Sequence, residues 1–122
     1  MHQIELFLKY PIEVQDELFQ KLVKTARDTR FGRDHDFKHI RDIDQFRQKV
    51  PIRNYEDIYP YIERLLKGEQ KVLWPSEVSW FAKSSGTTND RSKFIPVTEE
   101  ALEDCHFKGG KDMISIFLNN YP

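Results

Sequence analysis

Only one cysteine, Cys105, occurs in the 122 residues, which excludes an internal disulfide framework and fits a reducing compartment. Long apolar runs are missing too. None approaches the roughly 18 residues that a membrane span needs, and Lys9 interrupts the apolar start too early for a signal peptide. Neither sign of charge dominates. Nineteen Lys and Arg against twenty Asp and Glu leave a formal charge of -1, so there is no general electrostatic pull toward nucleic acid or anionic lipid. Apolar residues make up 39% and charged residues 32%, the latter above the usual ~25%, which implies a heavily solvated surface or a thin core. The length suits one domain, able to bury roughly two-thirds of its unfolded surface. The expectation is a cytoplasmic domain with no membrane and no nucleic-acid partner.

What is present is mostly helical pattern. Val14, Leu18, Leu22 and Ala26 recur at fourfold spacing, widened by Phe19 and Val23, and Pro11 suits a first helical position. Asp16 and Glu17 lie toward the start of this helix and Lys24 and Arg27 toward its end, as the dipole favours; Gly32 reads as its stop. Ile4 to Leu8 suit a short helix packed on the same core. Residues 33–53 alternate charge with Phe37, Ile40, Ile43, Phe46 and Val50, with Asp42 or Asp44 as cap of a short helix that Pro51 ends. Asn54 with Asp57 three residues on forms a capping-box analogue, and Pro60 is expected to restart or kink the helix carried by Tyr61, Leu65 and Leu66 to Gly68.

After Val72 the period changes. Val78, Trp80 and Ala82 alternate with Glu77, Ser79 and Phe81 as in a strand, and Phe94-Ile95-Pro96-Val97 is a second β-prone run that Pro96 confines to an edge. Thr98, Glu99 and Glu100 open a last helix, weakened by Gly109-Gly110, that carries Leu102, Cys105, Met113, Ile114 and Phe117. There is no repeat, low-complexity tract or linker. Two or three strands are marginal unless covered, and the apolar Ile114-Phe117-Leu118 face has nothing after it to bury it, so the chain reads as the front of something larger.

Between the two strands lies Ser84-Ser85-Gly86-Thr87-Thr88-Asn89-Asp90-Arg91-Ser92-Lys93. Four hydroxyls and a glycine in succession make a poor core and a good phosphate cradle. Gly86 permits close backbone approach, hydroxyls and N–H groups donate, and Lys93 supplies a counter-charge. Each hydrogen bond to a charged phosphate is worth roughly 1.5–3 kcal/mol. The same composition also suits a Ser/Thr-rich surface turn. A Walker-type loop is excluded, because Gly109-Gly110-Lys111-Asp112 lacks both the upstream glycine and the following hydroxyl.

The strand, the Ser84 to Thr88 core and Lys93 resemble the phosphate-binding signature of the acyl-adenylate-forming superfamily. The spacing to the lysine, with Ser92 before it, is most similar to the auxin-responsive promoter (Gretchen Hagen) family of acyl-acid amido synthetases. Val50-Pro51-Ile52, Tyr55-Glu56-Asp57-Ile58, Pro60-Tyr61-Ile62-Glu63-Arg64, Gly68-Glu69 and Phe94-Ile95-Pro96-Val97-Thr98 resemble that family's flanking runs, so the similarity extends from about Tyr10 onward. It implies an α+β, helix-rich fold, the N-terminal part of a larger adenylate-forming domain, with several helices and two or three short strands around the loop. It implies ATP-dependent activation of a small carboxylic acid as acyl-AMP and transfer to an amine or amino acid. By matching position, Ser84, Ser85, Gly86, Thr87 and Thr88 would hold the phosphates, with Lys93 offsetting charge on the departing pyrophosphate. Magnesium is implied beside the phosphates without an assignable protein ligand. Asn89 and Asp90 stand where many relatives have glycine, and Asp90 brings an anion near the phosphates. Family members are several times longer, so a fragment incompetent alone, with the remainder of the polypeptide downstream, is expected. The alternatives are an acyl-CoA-ligase-like enzyme or a non-catalytic helical interaction module.

Other candidates are bland on inspection. His35 and His39 beside Asp34, Asp36 and Asp42 have zinc-like spacing, but the dense local charge reads as a solvated loop and no metal is expected. Cys105 and His106 are adjacent on a helix and cannot form an attacking pair; Cys105 reads as partly buried. Tyr55, Tyr59, Tyr61, Trp74 and Trp80 lack a basic patch and read as packing. Lys83 is a second, lesser phosphate candidate.

Overall fold

A computed structural model describes residues 2–85 and 92–121, and of His2 and Gln3 the backbone alone. Six α-helices occur among the described residues: α1 (His2–Lys9), α2 (Pro11–Ala26), α3 (Arg30–Asp34), α4 (Ile43–Lys49), α5 (Tyr55–Leu66) and α6 (Lys108–Asn120). A 3-10 turn (Phe37–His39) and a π-helix (Ala101–Phe107) join them, with strands β1 (Trp80–Lys83) and β2 (Phe94–Val97). None of the described helices is long and apolar enough to cross a membrane. The helix-rich α+β class expected from the sequence is the observed one. The chain forms two compact units, Phe19–Thr98 and a second made of Met1–Leu18 with Glu99–Pro122.

The unit Phe19–Thr98 holds two apolar clusters. Val23 and Ala26 of α2 bury against Phe37 and Ile40, with Phe19, Phe31, Phe46, Val50 and Trp74 packed around them. Leu65 of α5 buries against Val72 and Val78, joined by Tyr61, Leu73 and Phe81. Val72, fully buried, sits in the segment whose carbonyls satisfy the start of α3: the N–H groups of Arg30 and Phe31 donate to Lys71 and Val72 at 2.9 Å. Gln70 then clamps the next turn, its amide donating to the Val78 carbonyl at 3.2 Å and accepting from the Val78 N–H at 2.9 Å.

Local capping sets most of the boundaries. Asp42 accepts from the Gln45 N–H at 2.8 Å and starts α4, which ends just before Val50 and Pro51. Asn54 and Asp57 make a reciprocal capping box at the start of α5, as their spacing predicts. Gly68, at φ 91°, takes the left-handed conformation just past that helix.

Several expectations are corrected. Gly32 does not stop α2, which ends at Ala26; it lies inside α3, where an added Cβ would stand 2.1 Å from the Ala26 carbonyl oxygen. Close approach, rather than termination, is why glycine is there. Thr29 makes the junction, donating to the Ala26 carbonyl at 2.6 Å and accepting from the Gly32 N–H at 3.0 Å. Pro60 neither restarts nor interrupts α5; its missing N–H would have gone to Glu56, an exposed residue open to water. The segment around His35 is not a solvated loop: His35 is 6% exposed, at the end of α3. β1 begins at Trp80, later than its alternation suggests, and the core-facing residue is Phe81, while Trp80 is 45% exposed.

In the second unit no described residue is buried. Its helical run passes through Gly109-Gly110 without a break, and the irregularity lies earlier, in the π-helix. Ile4 to Leu8 do form a helix, α1, but Leu8 is 79% exposed. Cys105, expected to be partly buried, is exposed.

Candidate functional site

β1 and β2 pair antiparallel, from Trp80 opposite Val97 to Lys83 opposite Phe94. The next pair in register is Ser84 and Lys93, and it closes differently. The Ser84 N–H donates to the Lys93 carbonyl at 2.9 Å, but the Lys93 N–H is taken by the Ser84 hydroxyl, also at 2.9 Å, in place of the Ser84 carbonyl. The hairpin thus brings two of the residues singled out for phosphate binding face to face at the strand ends. Ser84 and Lys93 are half-buried and Ser85 is exposed. Gly86, Thr87 and Thr88 lie outside the described residues.

This arrangement sets the Ser84 hydroxyl at the strand end. With its oxygen accepting from Lys93, the Ser84 hydroxyl can turn its own hydrogen to an anion. Lys93 Nζ lies 5.7 Å from the centre of the Tyr55 ring, and Lys83 Nζ 6.0 Å from that of Phe94, so both ammonium groups rest on aromatic faces. Tyr55 also reaches the strand backbone: its hydroxyl accepts from the Phe94 N–H at 2.8 Å and donates to the Phe94 carbonyl at 3.0 Å. Reading Tyr55 as packing missed this contact. Its hint was a tyrosine where phenylalanine would serve packing equally well.

A second polar cluster lies between α3 and α5. The Tyr61 hydroxyl donates to Asp34 Oδ2 at 3.0 Å and Arg30 Nε donates to the same oxygen at 3.2 Å. Burial works to raise the Asp34 carboxyl, but these two hydrogen bonds outweigh it and hold the group below its ordinary value. Burial, and then the Asp34 contact, push the Tyr61 hydroxyl up. His35 Nδ1 lies 2.8 Å from the Phe31 carbonyl, which can accept only, so that nitrogen carries the proton and Nε2 accepts from Arg53 Nη2 at 2.9 Å. Both ring nitrogens are engaged. His39 Nδ1 instead meets Asp36 Oδ1 at 2.5 Å, so the two histidines are not brought onto one ion. No group of three His, Cys, Asp or Glu side chains among the described residues converges as a metal site would require.

A cavity of about 460 Å³ opens elsewhere in this unit, rimmed by Lys21, Lys24, Arg27, Lys38 and Arg41 over an apolar floor. It contains none of the candidate phosphate-binding residues.

The sequence model of the GH3 family N-terminal domain matches residues 1–122. The chain is 32% identical over 92 residues to an indole-3-acetic acid-amido synthetase of Arabidopsis thaliana, covering 75% of this chain and 15% of the relative. It is 28% identical over 104 residues to a jasmonoyl-L-amino acid synthetase of Nicotiana attenuata, covering 84% and 18%. The solved structure of a GH3.15 acyl acid amido synthetase superposes with a TM-score of 0.75 at 29% identity, over 84% of this chain and 19% of that one. The chain therefore spans less than a fifth of the length of the relatives it matches.

Proposed function

This chain belongs to the GH3 family, within its N-terminal domain, and on that premise we propose that its residues supply the ATP-phosphate-binding part of an acyl-acid amido synthetase. The observation that carries the reading is the hairpin that sets Ser84 opposite Lys93 at the strand ends. In the proposed reaction a carboxylate oxygen attacks the α-phosphate of ATP, pyrophosphate leaves, and an amine or amino acid takes the acyl group from acyl-AMP, releasing AMP. Ser84, Ser85, Gly86, Thr87 and Thr88 donate hydrogen bonds to phosphate oxygens, and Lys93 offsets the charge that grows on pyrophosphate. Preorganised donors suffice here, because phosphate displacement asks little covalent chemistry of the protein. Magnesium, coordinated by phosphate oxygens and water, would share that charge; no residue of this chain is assigned to it.

Residues 1–122 are proposed as one portion of a larger catalytic domain, acting in the cytoplasm. They hold the phosphates, while the groups that select acid and acceptor lie outside them. The chain by itself is accordingly expected to bind nucleotide weakly and to form no acyl-AMP.

The test is titration of the chain with ATP and magnesium, followed by the amide resonances of Ser84, Ser85 and Lys93. Lys93→Ala should weaken binding roughly ten- to a hundredfold, the worth of one charge-assisted contact. Gly86→Val should weaken it comparably by placing a side chain where the backbone must approach phosphate. Binding that survives both substitutions would overturn the reading, and acyl-AMP made by the chain alone would overturn its division of labour.

A further inference from the structure

The cavity beside the end of α2 takes its cations from two separate elements. Lys21, Lys24 and, just past the helix, Arg27 follow one another at three-residue spacing and share a face; Lys38 of the 3-10 turn and Arg41 complete the rim. Among the described residues no Asp or Glu lines it. The acids that adjoin these cations in sequence serve other partners: Asp36 meets Lys49 and His39, and Asp42 caps α4. Asp28 alone reaches a rim cation, lying 3.3 Å from Arg27 Nε, and its side chain is 87% exposed, where an ion pair is weak. Lys21, Lys24 and Lys38 enter no ion pair among the described residues. The dipole of α2 accommodates cations at its end, but it does not call for two more across the cavity. Like charges gathered in this way repel one another and favour an anion between them.

We propose that this cavity binds a small soluble molecule through a diphosphate group, at a site separate from Ser84 and Lys93. Its volume, about 460 Å³, lies in the range of small-molecule sites. Its walls are joined before any ligand arrives. Gln20 Nε2 of α2 donates to the Arg41 carbonyl at 2.6 Å, and Arg41 Nη1 folds back on the Lys38 and Ile40 carbonyls at 2.8 and 3.3 Å. Beneath them Val23, Phe37 and Ile40 belong to one packed cluster, so both walls stand on the same core. Those floor residues are only 3% to 7% exposed and offer little apolar area, so recognition rests on charge and an apolar acid is a poor occupant. A lone carboxylate would leave most of the rim uncompensated. A diphosphate concentrates several negative charges in a small volume, and lysine ammonium groups serve as point-charge donors to phosphate oxygens.

The test uses inorganic pyrophosphate without magnesium, titrated into the chain carrying Lys93→Ala so that the other candidate site is disabled. The Lys24, Lys38 and Arg41 amides and the Gln20 side-chain amide should shift together and saturate at one pyrophosphate per chain. Lys24→Glu with Lys38→Glu should weaken that binding roughly ten- to a hundredfold, and Lys24→Arg with Lys38→Arg should keep it within about threefold. Lys9→Glu with Lys111→Glu changes the net charge equally but lies in the other unit, and should leave the affinity within about twofold. An equal loss in that control would reduce the effect to net charge and overturn the site. Absence of saturable shifts before any cavity substitution would overturn it too, whatever the variants do. Citrate binding as tightly as pyrophosphate would remove the diphosphate preference. A tetraglutamate peptide binding more tightly would make the cavity a protein contact. Binding seen only with phosphatidylcholine vesicles containing phosphatidylinositol bisphosphate, and not with free pyrophosphate, would replace the soluble ligand by a lipid headgroup. Each of these three results overturns the proposal, and none bears on the reading of Ser84 and Lys93.

Discussion

The two units use similar helices and differ in what those helices cover. In Phe19–Thr98, α5 has 12 residues, begins with a capping box and buries Ile62 and Leu65. In the unit of Met1–Leu18 with Glu99–Pro122, α6 has 13 residues, no side-chain cap and no buried residue. Met113, Ile114, Phe117 and Leu118 on α6 are 56% to 68% exposed. Both helices are amphipathic in sequence. An apolar stripe fixes the helix period, but burial needs a partner surface, and helical stability comes mainly from that packing. The partners of Leu65 are Val72 and Val78, reached by a tight turn through Gly68 and the Gln70 clamp.

Truncating the two helices at matched positions should break or confirm this contrast with the largest effect. Leu65→Ala is expected to cost about 2–5 kcal/mol, the lost transfer energy plus the cavity left beside Val72. Phe117→Ala should stay within about 0.5 kcal/mol, as for an exposed substitution. The chain has two tryptophans, Trp74 and Trp80, both in Phe19–Thr98. Urea unfolding followed by their fluorescence therefore reports that unit selectively, while circular dichroism reports helices from both. Equal losses from the two substitutions would mean that α6 is covered in solution and would erase the distinction.

Gly32→Ala comes next. The new methyl would stand 2.1 Å from the Ala26 carbonyl oxygen and 2.8 Å from that of Arg27, so backbone must move. A cost of about 1–3 kcal/mol is expected from overpacking of this kind, read from the same fluorescence midpoint. An unchanged midpoint would show that the α2 to α3 junction yields freely and that its glycine is incidental.

Gly32 also shows where the sequence was legible and where it was not. Caps were readable because their chemistry is complete within four residues: Asp42 with Gln45 and Asn54 with Asp57 needed no knowledge of the fold. A glycine is ambiguous by itself, since termination and close approach both select it, and the contact that decides at Gly32 comes from the preceding helix. Pro60 does not restart α5, because the carbonyl it orphans lies on an exposed turn where water can serve. The core-facing side of β1 is not assignable from alternation, because Phe81 meets Leu65 and Val78 through tertiary packing. At the candidate site the hydroxyl run between two β-prone stretches singles out Ser84 and Lys93, but their pairing across the strand ends is not legible from it. Nor is the role of Tyr55, because its partner Phe94 lies 39 residues away and nothing local marks the hydroxyl as bonded.

The capping box supplies a smaller, more specific perturbation. Asn54→Ala should cost about 0.5–2 kcal/mol by leaving the Asp57 N–H unsatisfied. It should also shift the Phe94 amide resonance, since Tyr55 follows the cap directly. A stability loss with the Phe94 amide unmoved would separate the cap from the strand edge and restrict its influence to α5.

The smallest effects are those of pH, and they too fall within Phe19–Thr98. Hydrogen bonds from Lys49 and then His39 hold the Asp36 carboxyl below its ordinary value, and Asp34 is lowered net of burial by Tyr61 and Arg30. A carboxyl depressed in the folded state adds stability above its unfolded value, near 3.8, and loses it as pH falls through the folded one. Tyr61 has the opposite sign. Its folded value is raised, so its contribution is present below the unfolded value near 10 and is lost as pH climbs through the folded value. The fluorescence midpoint should therefore decline at both ends, below about pH 4 and above about pH 10. Combining Asp34→Asn with Asp36→Asn should flatten the acid limb, and Tyr61→Phe the alkaline one. These contacts are largely exposed, so salt should weaken the effect as well, which a charge buried in the core would resist. An acid limb of unchanged steepness in the paired Asn variant would move the titration to other carboxylates and leave the α3 to α5 cluster without a part in acid stability.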